Sequence, residues 1–464
     1  MALGKRKTEQ QGLWIATTDL PKSPGHPFYR KLNQLLAEAK FDHWLEELCR
    51  PYYAAVMGRP SIPPGVYFRM ILVGYFEGIG SQRGIAWRCS DSRSLAEFLG
   101  VPADQETPDH SSLSRSHQRL PLAIHEQVFV FVLKIAADKK LLKGKTVAVD
   151  STTLEANAAM KSIERKDTGE DWKAYLTRLA NEAGIENPTD EELRRFDKKR
   201  TDKKVSNDDW QSPTDPDSRI AKMKDGTTHL AYKAEHVVDL DSDLVLSANI
   251  TPADHGDAET LCDSIAQAQL NMQAAGSAAE IKEAVADKGY HKASTLELAS
   301  ALSWRTYIPE PKRPHRSHWT DKPPEHRAAV YANRRRVRGT RSKKLQRLRS
   351  ELTERTFAHV CETGGARRTW LLGRLKVAKR YLLQVAARNL GLILRKLFRM
   401  GTPRGLQGCG DLFWALYLAI RTSWNRYWAH RTIMTKVFLF RFSPISGMVA
   451  IPLGPDKRTI STGC

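Results

Sequence analysis

Residues 145–153 read KTVAVDSTT: a β-rich run, Thr146 to Val149, then Asp150, then small hydroxyl side chains. A second run of the same build, EAVADKGYH at 283–291, ends in Asp287, with Gly289 close behind to permit a sharp turn or a close backbone approach. Both carboxylates are therefore expected at the ends of strands, where open α/β sheets receive ligands. Working outward, HLAYKAEHVVD (229–239) and DLVLSANITP (243–252) read as two strands joined by a tight Asp241-Ser242-Asp243 turn. A capped helix, DHGDAETLCDSIAQAQ (254–269), follows them. The 283–287 strand comes next, then WRTYIPEP (304–311), then a long helical tract after Tyr331. This order predicts an α/β fold with a mixed sheet flanked by helices.

Ahead of the sheet the period is helical. FYRKLNQLLAEA (28–39), PPGVYFRMILVGYFEGI (63–79) and AIHEQVFVFVLKIAADK (123–139) repeat apolar residues every three or four positions between Pro, Gly and Ser breaks. Residues 90–120 read as two short helices joined by a turn. Ser111 or Ser112 is expected to cap the second, which carries Ser114, Arg115, His117, Gln118 and Arg119 as groups able to reach phosphates or base edges. The organisation expected is an all-helical N-terminal DNA-binding domain over 1–140, an α/β domain over 141–400, and a C-terminal extension over 401–464. The α/β part contains a segment, 161–219, with 28 charged residues, too poor in large apolar side chains to bury much surface. In the extension Trp414, Trp424, Tyr427 and Trp428 lie among basic residues, and a small packed unit is expected.

The 464 residues allow two or three domains with full cores. No apolar run approaches the roughly 20 residues of a membrane helix. The nearest is LFWALYLAI, 412–420, and MALGKRKTEQQ is not followed by the apolar stretch of a secretory signal. A cytoplasmic protein is expected. Cys49, Cys89, Cys262, Cys361, Cys409 and Cys464 are scattered without a CxxC pair, so reduced structural thiols are expected rather than a zinc site. A net charge of +21 favours a polyanion partner. The charge concentrates from Lys312 to Arg349, where 14 Lys or Arg face only Asp321 and Glu325. That stretch is the candidate phosphate-tracking surface, with Arg334, Arg335, Arg336, Arg338, Arg341, Lys343, Lys344 and Arg347 at its centre and Lys288 beside Asp287.

A third acid, Glu354, lies in SELTERTFAH (350–359). Carboxylates on separate elements suit hard divalent cations such as Mg²⁺, which take oxygen ligands together with substrate phosphates. Two ions about 3.5–4 Å apart stabilise both the attacking and the leaving oxygen of a phosphodiester displacement. On a helical wheel with Leu345, Leu348, Leu352 and Val360 inward, Glu351 flanks the buried face and Glu354 points almost opposite, so geometry alone favours Glu351.

VAVDSTTLEANA (147–158), ADKGYH (286–291), YIPEP (307–311), ERTFAH (354–359), ETGGARRTWLLGR (362–374) and NLGLILRKL (389–397), in that order, resemble the DDE transposases of bacterial insertion sequences. Residues 63–100 and PDHSSLSRSHQRL (108–120) resemble the helical domain that precedes the catalytic domain in the same group. The resemblance spans roughly residues 28–400. It implies a ribonuclease H-like catalytic fold, a DDE triad of Asp150, Asp287 and Glu354, and use of two Mg²⁺ or Mn²⁺ ions. It implies double-stranded DNA as partner, both terminal inverted repeats and target, with a homodimer at synapsis and nucleoid association when bound. The expected activity is cut-and-paste transposition, in which the freed 3′-OH ends are joined to target DNA. The alternatives are a nuclease without strand transfer and an inactive or domesticated DNA-binding remnant. Relatives often place Tyr seven and Arg four before the Glu and Lys seven after it. Here those positions hold Arg347, Ser350 and Cys361, whereas counting from Glu351 puts Arg347 four before, so Glu351 stays open as the third ligand. No Tyr or Ser sits in the Arg and His setting of a recombinase nucleophile.

Overall fold

The computed structural model describes Ser23 and residues 25–403, apart from 55–57, 59–60, 202–205, 224–225, 313–318 and 320–321. Trp414, Trp424, Tyr427 and Trp428 of the tail lie outside the described residues. Helices precede the first strand: α1 (Pro27–Glu38), α2 (Phe41–Cys49), α3 (Pro64–Glu77), α4 (Gln82–Asp91), α5 (Arg93–Leu99), α6 (His110–Arg119) and α7 (Leu122–Asp138). Helix α1 shows why: Phe28, Leu32, Leu35 and Leu36 form one buried stripe, and Pro27 sits in the first turn, where its missing N–H costs nothing. The cap of α6 differs from expectation. Asp109 holds that position, accepting from Ser112 N at 2.8 Å, while Ser111 Oγ donates to the Asp109 carboxylate. An ionised carboxylate is an acceptor only and meets the helix's free N–H groups with a full charge, so it takes the cap ahead of the hydroxyls.

The remainder runs β1 (Thr146–Glu155), β2 (Glu164–Arg165), α8 (Trp172–Glu182), α9 (Asp190–Lys199), β3 (Trp210–Gln211), β4 (Arg219–Lys222), β5 (Thr228–Asp239), β6 (Val245–Pro252), α10 (Asp257–Ala274), β7 (Glu283–Val285), α11 (Ala293–Ala301), β8 (Arg305–Tyr307), α12 (Pro324–Arg338), α13 (Thr340–Phe357) and α14 (Arg374–Phe398). The sheet is mixed, as expected. Its path is β4-β5-β1-β7-β8, with β6 also pairing β5; β1 is antiparallel to β5 and parallel to β7. The charged segment is helical rather than loose. Thr189 and Glu192 make a reciprocal capping box at α9, and α8 and α9 close on Leu176, Ala180 and Leu193 with Trp172, Tyr175 and Phe196 packed beside them. The helical tract placed after Tyr331 begins seven residues earlier, at Pro324, and breaks at Gly339 between α12 and α13.

One expectation fails on a point that matters. Strand β1 does not end at Val149; it continues to Glu155, because the long antiparallel partner β5 carries it on through the pairs Asp150↔His236 to Glu155↔Ala231. What ends is the other neighbour. The parallel ladder with β7 stops at Ala148↔Val285, so Asp150 stands in mid-strand with one side vacated by β7.

Helices cover both faces of the sheet. On one face Glu235 of β5 accepts from Thr260 and Ser264 of α10. On the other, His236 bonds Thr356 of α13 at 3.0 Å and Tyr381 of α14 at 2.9 Å, and its ring stacks on Phe357. Helix α14 is buried almost continuously from Val377 to Leu394 and packs against α7, α3 and β6, so the helices ahead of the sheet and the sheet share it as a common wall.

Candidate active site

The register of β1 and β7 brings the two aspartates together. Ala148 pairs with Val285, and Asp150 and Asp287 each lie two residues further on, so both leave the end of the parallel ladder with the same alternation phase. Asp287 caps the short 3₁₀ turn Lys288–Tyr290, its Oδ1 accepting from Gly289 N at 2.7 Å. Asp150 Oδ1 accepts from Ser151 N at 2.9 Å, and its Oδ2 accepts from Arg349 Nη1 and Thr353 Oγ1 of α13, both at 2.9 Å. Burial raises the Asp150 pKa against the opposing pull of Arg349, and the charge of Asp287 pushes the same way as burial.

The opposite face of β1 adds a second polar group. Ser151 Oγ donates to Asp257 Oδ1 at 2.9 Å, and Lys233 Nζ stands 2.5 Å from the same oxygen. A Cβ on Gly289 would stand 2.9 Å from Asp257 Oδ2 and 3.0 Å from Asp287 Oδ1. A side chain there would have to displace these two carboxylates from the turn. Behind them Glu235 is buried, its pKa raised by burial, and is held by Thr260, Ser264 and Tyr290.

Glu354 does not join the aspartates in this structure. It is exposed on α13, as is Glu351, which pairs with Arg355 one turn on at 2.5 Å. The buried stripe of α13 is Ser342, Leu345, Leu352, Thr353, Thr356 and Phe357. The small polar members turn the inward face by more than half a residue step from the one that the leucines alone define. Glu351 then lies nearly opposite that face and Glu354 closer to its flank, reversing the wheel's preference. Among the described residues no three His, Cys, Asp or Glu side chains are grouped to hold a metal.

The basic candidates divide. Arg334 pairs with Glu310 at 2.6 Å, Arg336 donates to Thr306 O at 2.9 Å and pins α12 to β8, and Arg341 pairs with Glu283. Arg334 and Arg336 are half-buried and engaged within the fold, contrary to the expectation that they face DNA, whereas Arg341 holds its partner from an exposed position. Arg335, Arg338, Lys343, Lys344, Arg347 and Lys288 are exposed. On α6, Arg115 and Arg119 are exposed and bonded to nearby serines, whereas His117 is buried.

This geometry, two aspartates released together at the end of a parallel ladder with basic helices beside them, agrees with comparison to known families. Residues 142–390 match the family model described as a transposase DDE domain, and residues 18–119 match a transposase domain (DUF772). The chain belongs to the DDE transposases. No curated protein matches it. The fold is ribonuclease H-like, and the family's members are nucleic-acid-cleaving and -transferring enzymes that act on DNA and generally use divalent metal ions. The donor set suits such an ion: around Asp150 and Asp287 the nearby side-chain acceptors, Ser151, Asp257 and Thr353, offer oxygen only. Three residues of the transposase's site escaped the sequence. Arg349 and Thr353 are spaced one helical turn apart, and a stripe of polar residues, Ser342, Gln346, Arg349, Thr353 and Thr356, was their only signal. Asp257 opens the first helix after a strand, a place where an acid is ordinary as a partner of the helix dipole.

Proposed function

We propose that the transposase cuts DNA at the terminal inverted repeats of an insertion sequence and joins the freed 3′-OH ends to target DNA. The observation that carries this reading is the shared two-residue offset of Asp150 and Asp287 from the last parallel pair. These two carboxylates would hold the divalent ions, with Glu354 as third ligand. Two Mg²⁺ or Mn²⁺ ions held there would supply Lewis-acid activation of a water or 3′-OH and charge stabilisation at the leaving oxygen of the phosphodiester.

The chain's own residues position and neutralise. Thr353 fixes the Asp150 rotamer, and Arg349 offsets its charge and supplies a cation where a scissile phosphate would arrive. Arg335, Arg338, Lys343, Lys344, Arg347 and Lys288 would track the backbone, with α6 and its neighbours reading the repeats over an N-terminal unit ending near residue 140. Two copies would meet at synapsis. Glu354 follows Thr353 directly, and α13 runs into the π-helical turn Ala358–Thr363. A one-residue change of helical phase there would carry Glu354 into the position that Thr353 holds; wide turns of this kind are common at functional sites.

Purified protein, a labelled duplex ending in the element's repeat, and Mg²⁺ provide the test. Strand nicking followed by joining of a pre-cleaved 3′-OH end supports transposition, and nicking without joining would reduce the reading to a nuclease. The exposed setting of Glu354 favours one rival, a DNA-binding remnant. Repeat binding with no metal-dependent nicking would decide for it.

A further inference from the structure

A cavity of about 350 Å³ lies between α3, α4, α6 and α14, apart from the aspartates, and no step above uses it. Its volume is that of a small-ligand site. Ile71, Ile79, Ile85, Leu371 and Leu383 supply apolar wall, and the lining includes no Asp or Glu. Two of the residues that line it, Arg380 and His117, each have a buried nitrogen atom, Nη2 and Nε2, without a hydrogen-bond partner. His117 is only 5% exposed. Burial lowers the Arg380 pKa, which marks a guanidinium withdrawn from water without a counter-charge. Such a group is costly unless an anion meets it.

The mouth is shaped for that anion. A Cβ on Gly80 would stand 3.4 Å from Arg380 Nη2 and 3.7 Å from Trp370 Nε1, so the missing side chain leaves a notch on which two N–H donors converge. The first turn of α4 opens at the same place. Ser81 caps it by accepting from Gly84 N at 3.0 Å, and the other N–H groups of that turn have no partner within the helix. Beside the notch Trp370 is 59% exposed and offers a flat aromatic surface. An anion attached to a planar ring is the chemistry that this combination recognises.

We infer that the cavity binds one nucleotide, its phosphate in the Gly80 notch on Arg380 and the first turn of α4, its base on Trp370 and the apolar wall. The choice of a nucleotide among aromatic anions rests on the DNA-cutting reading above. Position favours it as well. Thr369 N donates to Glu155 O at 3.0 Å, so Trp370 lies beside the far end of β1. Glu155 is five residues beyond Asp150, about 17 Å at the rise of a strand. That is the span of about five nucleotides at 3.4 Å each. A strand cut between Asp150 and Asp287 would reach the cavity about five nucleotides from the cut.

The nucleotide has two sources, a free mononucleotide or a residue of the DNA strand, and titration of the full chain separates them. Calorimetry with deoxyadenosine 5′-monophosphate is expected to show binding that weakens at least about tenfold in Trp370→Ala and in Arg380→Gln, and at least about tenfold when deoxyadenosine or inorganic phosphate replaces the nucleotide. Trp370 is exposed, so its variant keeps the fold even if Arg380→Gln loses it, and melting curves check both. No nucleotide binding, or binding unchanged in Trp370→Ala, overturns the site; phosphate binding as tight as the nucleotide's overturns the base contact. Abasic substitutions three to seven nucleotides from the cut then assign the source. Affinity that falls at one position, and is no longer sensitive to it in Trp370→Ala, marks the DNA strand, and unchanged affinity alongside mononucleotide binding marks a free nucleotide. Mg²⁺-dependent nicking in the same preparations keeps the two readings apart. Nicking without nucleotide binding overturns the cavity alone, and nucleotide binding without nicking overturns the catalytic reading alone.

Discussion

The strand-borne acids and the helix-borne acid are held by different kinds of constraint. Asp150 and Asp287 follow a hydrogen-bonded ladder, where the pair Ala148↔Val285 fixes one against the other and a slip of one residue would turn one of them to the opposite face. Glu354 belongs to a helix whose phase is set by which side chains it buries, and each residue step turns it by about 100°. A ladder therefore transmits position from one chain segment to another, while a helix transmits only what its packing face permits. In this molecule the ladder has delivered two carboxylates together, and α13 presents Arg349 and Thr353 to Asp150 with Glu354 one step along the helix.

The sharpest break of this contrast is Asp150→Ala or Asp287→Ala. Each is expected to abolish Mg²⁺-dependent nicking, a loss well beyond the roughly 10–100-fold of a supporting residue, while gel-shift binding to the repeats persists; metal-dependent nicking retained in either would remove the pair from the site. Glu354→Gln should fall as far as the aspartates and Glu351→Gln should stay within about twofold of wild type. Equal losses, or a loss confined to Glu351→Gln, would remove Glu354 as the third ligand. Thr353→Val deletes the hydroxyl that orients Asp150 and is expected to cost about 10–100-fold in metal affinity by calorimetry; an unchanged affinity would mean that Asp150 needs no orienting partner.

Smaller effects test the basic helices. Replacing Arg335, Arg338, Lys343 and Lys344 by Gln should reduce the slope of log affinity against log salt by about 0.9 for each phosphate no longer neutralised, with the melting temperature little changed. Arg336→Gln, whose guanidinium bonds Thr306, should do the reverse and lower the melting temperature with little change of slope. The last prediction concerns pH. Burial first of all lowers the pKa of His117 to about 4 and of His125 and His236 to about 3. Since an unfolded histidine titrates near about 6.5, the unfolded state binds more protons below that pH. The stability these neutral rings contribute is thus whole above pH 6.5 and lost as pH falls toward 4 and then 3. Urea midpoints that stay level from pH 7 to 4 would contradict this.

Much of the sheet was legible because its signals are local. Alternating β-branched residues, an Asp-Ser-Asp turn and Asp-ended runs named the strands in order, and the two aspartates stood in the runs themselves. The end of β1 was not legible, since β5, some eighty residues away, carries it past Asp150. The phase of α13 was hidden for a related reason. Leucines announce a buried face from sequence, but Thr353 and Thr356 are buried only because a carboxylate and a histidine wait for their hydroxyls. Arg334, Arg336 and Arg341 looked like the rest of a basic run, and only the partners Glu310, Thr306 and Glu283 separate them from it.

The burial of α14 has a consequence in time. Residues 377–394 fill the seam between the leading helices and the sheet, yet the ribosome makes them after every other element of that seam. Until they emerge, α7, α3 and β6 carry apolar surface with nothing to cover it, and a nascent chain is at its most aggregation-prone in that state. A stop codon between positions 288 and 374 would leave both strand-borne aspartates on a chain that cannot close.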